Sequence, residues 1–150
     1  MRIIRVTAIT AAVGTALALA LGGCAQINDV KHSVSSAVSD AKTSADQARS
    51  AIDDARAQLN SLSPDDRAKV EDAIGSSTTA IKDATAALDK ASKDAGAAKS
   101  SVTDAEKSLA DAKTKLDAAS AQVGGASKPA LDALSTKIDE LSKQLKSTQS

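Results

Sequence analysis

The sequence predicts an all-α fold, either an elongated antiparallel, alanine-rich coiled coil or a helical bundle of about three helices. Alanine, the strongest helix former, is the commonest of the 150 residues, and the chain has no Phe, Trp or Tyr. After residue 33, apolar residues recur at alternating spacings of four and three, which is typical of coiled-coil seams. Two stretches that contain Pro or Gly interrupt this pattern and divide the chain into helices.

The first 23 residues have the layout of a secretory signal. Two basic residues, Arg2 and Arg5, precede an uncharged and mostly apolar stretch from Val6 to Leu21. We therefore predict an exported protein with a signal peptide at 1–23. Its removal leaves 17 basic and 19 acidic residues, a formal charge of −2. An uncleaved membrane helix from Ile3 to Gly23 is the alternative, since about 20 apolar residues span a bilayer.

The signal ends in LGGC, that is Leu21, Gly22, Gly23 and Cys24, which resembles the lipobox of bacterial lipoproteins. The resemblance implies that a diacylglycerol group is attached to the Cys24 thiol and that the chain is cut before Cys24. It also allows a further acyl chain, such as palmitate, on the new N-terminus. Cys24 is the only cysteine, so the chain has no second thiol for a disulfide. We expect a lipid anchor on the extracytoplasmic side of a cell membrane or outer membrane.

A first helix is predicted at 28–62, after a lipidated linker at 24–27. Its seam consists of Val34, Val38, Ala41, Ala45, Ala48, Ile52, Ala55, Leu59 and Leu62. The pattern stops where Ser63 can cap a new helix, Pro64 suits its first position, and Asp65 and Asp66 place negative charge at its positive end. A turn is therefore predicted between the first and second helices of the helical domain, 28–150.

The second predicted helix, 65–123, is the longest. One edge of its seam carries Ile74, Ile81, Leu88, Ala95, Val102, Leu109, Leu116 and Val123. The other edge carries Val70, Ser77, Ala84, Ala91, Ala98, Ala105, Ala112 and Ala119. Gly75 and Gly96 interrupt neither edge, because the spacing continues through both, so we predict soft positions there rather than breaks.

A third helix is predicted at 128–147. Gly124 and Gly125 can end the second helix in a left-handed conformation, and Ser127 can cap the next one. The third seam is the strongest of the chain and consists of Leu131, Leu134, Ile138, Leu141 and Leu145.

The helix lengths predict how the chain folds. At 1.5 Å per residue the three helices span roughly 50, 90 and 30 Å, so the first and third can fold back along the two halves of the second. Their ends would then meet near Gly96 to Ala98. A compact three- or four-helix bundle with a break at Gly96, or a parallel oligomer, is the competing arrangement.

Charged residues four apart predict ion pairs along single helices. The pairs are Asp89 with Lys93, Asp111 with Lys115, and Arg49 with Asp53. We expect them to form a solvated face that contributes little to stability.

The residue pattern predicts no enzyme and no cofactor beyond the lipid on Cys24. His32 is the only histidine, and no Cys, His or carboxylate cluster has the spacing of a metal site. No serine lies in the Gly-x-Ser-x-Gly motif of hydrolases. The chain has no aromatic residue on which a base could stack, and its 19 basic and 19 acidic residues balance, so nucleic-acid binding is not expected.

A lipobox followed by an aromatic-free, alanine-rich helical region resembles the murein-lipoprotein type of envelope protein. That resemblance implies a lipid-anchored rod that spaces or ties the membrane to the cell wall. The family ends in a lysine joined to peptidoglycan, whereas this chain ends in LKSTQS, with Lys146 four residues before the end. We expect a non-enzymatic structural spacer or scaffold of the cell envelope, whose partners are membrane lipid and either further copies of itself or another envelope protein. The alternative is an amphipathic helical module that binds lipid or a partner protein's helix.

Overall fold

The computed structural model describes residues 26–125 and 127–149. It contains four α-helices: α1 (Gln26–Ala57), α2 (Pro64–Ala91), α3 (Ala95–Gln122) and α4 (Ser127–Ser147). A short 3₁₀ helix, Leu59–Ser61, lies between α1 and α2. The all-α prediction is confirmed, with four helices rather than about three. The predicted signal peptide and Cys24 lie outside the described residues.

The four helices form an antiparallel bundle. Short connections join successive helices, which therefore run in opposite directions. α2 and α3 make the most extensive contact, α4 packs on α1 and α3, and α1 also packs on α2. Contact between α2 and α4 is slight, so these two helices lie diagonally opposite each other.

The buried face of α2 explains why the chain forms a bundle. α2 buries three residues in most heptads rather than the two of a two-stranded coiled coil. The buried residues are Val70, Ala73, Ile74, Ser77, Ala80, Ile81, Ala84, Ala87, Leu88 and Ala91. A face of this width contacts two neighbouring helices at once, and α2 accordingly packs on both α1 and α3.

The three predicted seams are confirmed as the core. Every residue of the second and third seams is buried, apart from Ala95, whose side chain is outside the described set. In the first seam the residues from Val38 to Ala55 are buried, while Val34, Leu59 and Leu62 are partly buried. Nearly half of the buried apolar residues in the described ranges are alanines, so the helices can approach closely but bury little surface per residue.

The predicted continuous helix at 65–123 is wrong. α2 ends at Ala91 and α3 begins at Ala95. Asp94 caps α3, because its Oδ1 accepts hydrogen bonds from the backbone N–H of Gly96 at 2.9 Å and of Ala97 at 3.1 Å. The long rod is thereby replaced by the compact four-helix arrangement, which the sequence had left as the competitor.

Seam spacing could not reveal this turn. Leu88, Ala91, Ala98 and Val102 are all buried, and their numbering keeps the three-and-four spacing of a single helix across the break. A three-residue turn that preserves the spacing cannot be detected by periodicity. The local signal was Asp94, a favourable N-cap residue two positions before Gly96.

The other predicted helix ends are close to those observed. Ser63 caps α2: its Oγ accepts from the Asp66 backbone N–H at 3.3 Å, and Pro64 is the first helical residue. α1 ends at Ala57, earlier than the predicted residue 62, because the chain then tightens into the 3₁₀ helix Leu59–Ser61. Gly125 alone among the described residues has a positive φ, 64°, so the left-handed conformation predicted for Gly124 as well is wrong.

None of the helices in the described ranges is long and apolar enough to cross a membrane.

Candidate functional site

The predicted lipid site cannot be placed relative to the bundle. Leu21, Gly22, Gly23 and Cys24 lie outside the described residues, and Cys24 precedes Gln26, the first described residue of α1, by two positions. Lipidation of Cys24 therefore stays a prediction. The first part of α1, starting two residues after Cys24, is the part of the described fold nearest to it in sequence.

A polar cluster of six hydrogen-bonded side chains lies between α3 and α4. Both helices carry the pattern Lys-x-x-Leu-Asp-Ala-x-Ser, offset by 15 residues. We call the cluster the α3–α4 clasp. It consists of Lys113, Asp117 and Ser120 on α3, and of Lys128, Asp132 and Ser135 on α4.

One half of the clasp is centred on Asp117. The Ser135 hydroxyl donates to Asp117 Oδ1 at 2.7 Å, from the opposite helix. Lys113 Nζ donates to Asp117 Oδ2 at 2.9 Å and to Ser135 Oγ at 3.1 Å. The carboxylate is thus held by one donor from its own helix and one from its neighbour.

The other half repeats this arrangement around Asp132. The Ser120 hydroxyl donates to Asp132 Oδ1, and Lys128 Nζ donates to Asp132 Oδ2 at 3.0 Å and to Ser120 Oγ at 3.1 Å. Because the helices are antiparallel, the serine of each pattern lies beside the aspartate of the other. The clasp therefore has an approximate twofold symmetry and fits one register of α3 against α4.

The hydrogen bonds of the clasp lower the pKa values of its two carboxyl groups. The hydrogen bond from Ser135, followed by that from Lys113, lowers the pKa of Asp117. The hydrogen bond from Ser120, followed by that from Lys128, lowers the pKa of Asp132 in the same way. A lowered pKa keeps each carboxylate ionised near neutral pH, so that it accepts the hydrogen bonds of the serine and the lysine. Both serines are buried between the helices.

The three predicted ion pairs are wrong, although other ion pairs, such as Lys113 with Asp117, do lie along a single helix. Asp89 pairs with Lys42 of α1 at 2.8 Å, and this contact chiefly lowers the Asp89 pKa, with Lys93 the smallest contributor. Lys115 reaches across to Asp72 of α2 at 3.0 Å rather than to Asp111.

Arg49 likewise bonds to Asp46 at 2.9 Å and to Thr85 of α2 at 3.1 Å instead of to Asp53. Long side chains at the edges of a bundle reach the neighbouring helix, which spacing along one helix cannot show.

The two larger of the shallow grooves described between α2 and α3 have volumes of about 420 and 590 Å³. Both are lined in part by Asp72 and Lys115, whose ion pair crosses between the helices. Both grooves are wide open to solvent, and small residues such as Ala68, Gly75 and Ser76 line their walls. An open groove of this kind keeps its charged groups hydrated and does not set pKa values apart as an enclosed acid–base site does.

The polar groups of the core are satisfied. Within the part of the chain that the structure describes, every buried side-chain nitrogen or oxygen has a hydrogen-bond partner. Ser77, for example, lies at a fully buried seam position and donates to the Ala73 carbonyl at 2.8 Å. No group of three His, Cys, Asp or Glu side chains in the described ranges is arranged to hold a metal ion.

Sequence reasoning missed the clasp because it considered only pairs of charged residues, whereas the bonds between the two helices are made by Ser120 and Ser135. The repeated Lys-x-x-Leu-Asp-Ala-x-Ser pattern was the available signal. Comparison with protein-family models, curated proteins and solved structures gives no significant match, so a function for this chain has to be argued from its own residues.

Proposed function

We propose that the protein is a lipid-anchored, non-enzymatic cell-envelope protein whose helical bundle serves as a spacer or scaffold on the extracytoplasmic side of the membrane. The observation that carries this proposal is LGGC at 21–24, directly behind a signal-like segment. Two acyl chains on Cys24 would contribute about 0.8 kcal/mol per buried methylene, which is enough for stable anchoring without a membrane-spanning helix.

The bundle supports a role that depends on shape. α2 and α3, each of 28 residues, are about 42 Å long and pack along each other. The α3–α4 clasp and the ion pairs of Lys42 and Lys115 join different helices. A body of this kind can keep components of the envelope at a fixed separation from the membrane.

Intact-mass spectrometry of the membrane-extracted protein tests the anchor. The wild type should have Cys24 as its first residue and carry the mass of the acyl chains, and Cys24→Ser should lose that mass. As a matched control, Ser100→Cys in the Cys24→Ser background restores a thiol at an exposed position outside the lipobox and should stay unlipidated. An uncleaved, unmodified wild-type chain would refute the proposal.

The alanine-rich core favours a second candidate function, an amphipathic module whose bundle opens to bind lipid or a partner protein's helix. Small side chains bury little apolar surface, so each layer of the core holds the helices with modest free energy. Light scattering and sedimentation of the unlipidated mature chain, with and without lipid vesicles, separate the two candidates. A spacer keeps the same shape in both conditions, whereas an opening module changes shape and sediments with the vesicles.

A further inference from the structure

The turn between α2 and α3 departs little from a helix. Ser92 keeps helical backbone angles, φ −66° and ψ −22°, and the N–H groups of Ser92 and Asp94 donate to carbonyls four residues earlier, as in a helix. Asp94 itself is extended, with φ −152° and ψ 102°. The side chains of Ser92, Lys93 and Asp94 are exposed. The turn therefore buries no side chain that would oppose a continuous helix.

The buried face continues through this turn in the phase of one straight helix. Ala84, Ala91, Ala98 and Ala105 follow one another at intervals of seven residues, and all four are buried, although the turn lies between the second and the third. A hairpin does not require this spacing, because each of its helices can direct its own face toward the other. Two straight helices that lie side by side do require it, since a straight helix presents one face along its whole length.

The polar contacts between α2 and α3 have the same property. They are Lys90 with Ser101 at 2.9 Å, Ser108 with Asp83 at 3.3 Å, and Lys115 with Ser76 at 2.9 Å. From each pair to the next, the α2 residue lies seven positions earlier and the α3 residue seven positions later, so the contacts are symmetrical about a point between residues 95 and 96. In a straight helix the step from residue 90 to residue 101 is about three turns, which places all six residues on one side. Two antiparallel copies of such a helix can therefore repeat each of these pairs between chains.

We propose that this protein pairs with a second copy of its own chain in a domain-swapped dimer, in which residues 92–94 become helical and α2 and α3 join into one helix. The α1–α2 half of each chain then packs on the α3–α4 half of the other, which gives two four-helix bundles end to end. The α2–α3 and α1–α4 contacts form between chains, whereas the α3–α4 clasp stays within each chain. Because identical elements are exchanged, the swap keeps the contacts of the closed form and needs no additional interface.

Local interactions at the turn set the balance between the two forms. Asp94 stabilises the hairpin, because its Oδ1 accepts hydrogen bonds from the N–H groups of Gly96 and Ala97. A continuous helix replaces these bonds with backbone hydrogen bonds, but it places Gly96 in a helix interior, where glycine is unfavourable. Protein concentration favours the dimer by mass action. The swap depends on the chain alone and not on the lipid, so the unlipidated protein tests it independently of the proposed anchor.

Size-exclusion chromatography with light scattering tests whether the dimer forms. The mature chain, residues 24–150 with Cys24→Ser, is unfolded in urea and refolded at a micromolar and at a millimolar concentration. We expect the mass of one chain in the dilute sample and, in part of the concentrated sample, twice that mass. The absence of a dimer after refolding at millimolar concentration would overturn the proposal.

Energy transfer within one chain distinguishes the swapped dimer from a dimer of closed bundles. Lys69 and Gln122 are exposed and line the same groove between α2 and α3, so dyes attached to Lys69→Cys/Gln122→Cys are close together in the closed bundle. In the joined helix the two positions are about 80 Å apart. The doubly labelled Cys24→Ser chain is refolded with an excess of unlabelled chain, so that transfer takes place within one chain. Transfer should be high in the monomer and nearly absent in the dimer, and high transfer in both would overturn the proposal.

Three variants at helix starts identify the turn that opens. Asp94→Ala removes a cap that favours each hairpin by a factor of about five, and a dimer opens two hairpins, so the Kd of the dimer should fall about 25-fold. Ala95→Pro suits the first position of α3 but interrupts a continuous helix, so it should prevent the dimer. Ser63→Ala removes the cap of α2, whose turn is the same in both forms, and should leave the Kd unchanged. Equal Kd values for the wild type, Asp94→Ala and Ala95→Pro would contradict the opening of this turn.

Discussion

At the scale of single residues, Asp117 and Asp132 show how a repeated pattern becomes a contact. Each carboxylate accepts a hydrogen bond from a buried serine of the opposite helix and one from a lysine four residues earlier on its own helix. A buried hydroxyl needs a partner, and here each carboxylate supplies one only when the two helices are in the observed register. The clasp therefore favours one register of α3 against α4.

The clasp predicts how stability depends on pH. The pKa values of Asp117 and Asp132 are lowered in the folded protein, chiefly by the serine hydrogen bonds. A lowered folded pKa means that the stabilisation is fully present above the unfolded value, about pH 4, and is lost as the pH falls through the folded values. Urea unfolding followed by far-ultraviolet circular dichroism should show this loss in the wild type, and a smaller one in Asp117→Asn/Asp132→Asn.

Two further variants control that experiment. Asp54→Asn removes an exposed carboxylate outside the clasp and should keep the pH dependence of the wild type. Ser120→Ala and Ser135→Ala should each cost about 1 kcal/mol at neutral pH, because each removes one hydrogen bond between the helices. If the wild type and the double Asn variant lost the same amount of stability at low pH, the result would contradict the predicted role of the clasp.

At the scale of helices and turns, two glycines in different environments predict opposite effects of alanine. Gly75 lies inside α2, and a Cβ there meets no atom within 4 Å. Gly75→Ala should raise the free energy of unfolding by about 1 kcal/mol, since alanine is the better helix former. Gly125 also has open space around a Cβ, but its φ is 64°. Gly125→Ala should therefore lower the free energy of unfolding by about 1 kcal/mol, because alanine is strained in this backbone conformation.

Gly124 is the matched control for this pair. It is next to Gly125 in the same connection, has open space for a Cβ, and does not have a positive φ. Gly124→Ala should therefore change the free energy of unfolding much less than Gly125→Ala, as measured by urea unfolding. Equal losses of stability in the two variants would mean that any substitution in this connection destabilises the protein, whatever the φ of the glycine.

At the scale of the whole molecule, the turn at 92–94 decides between a rod and a bundle. With a continuous second helix the protein would be about 90 Å long, whereas the bundle is limited by α1, about 48 Å for its 32 residues. Small-angle X-ray scattering of the unlipidated mature chain should give a maximum dimension of about 50 Å. A maximum dimension of about 90 Å would contradict the bundle and favour the rod.

The sequence by itself determined the helical class, the residues of the core and most helix ends. Alanine content, three-and-four spacing and the caps at Ser63 and Gly125 act within one or two turns of chain, so they can be seen without the fold. LGGC, which carries the proposed function, is likewise a local pattern, and its lipidation stays a prediction.

Only the tertiary structure decided the number of helices and the contacts between them. The turn capped by Asp94 keeps the seam spacing, so periodicity alone could not separate one long helix from two. Lys42 and Lys115 pair with carboxylates on other helices, and in the clasp Ser120 and Ser135 bond to aspartates 12 and 18 positions away in the sequence. These outcomes depend on which helix faces become neighbours, because the wide buried face of α2 is satisfied only when two helices cover it.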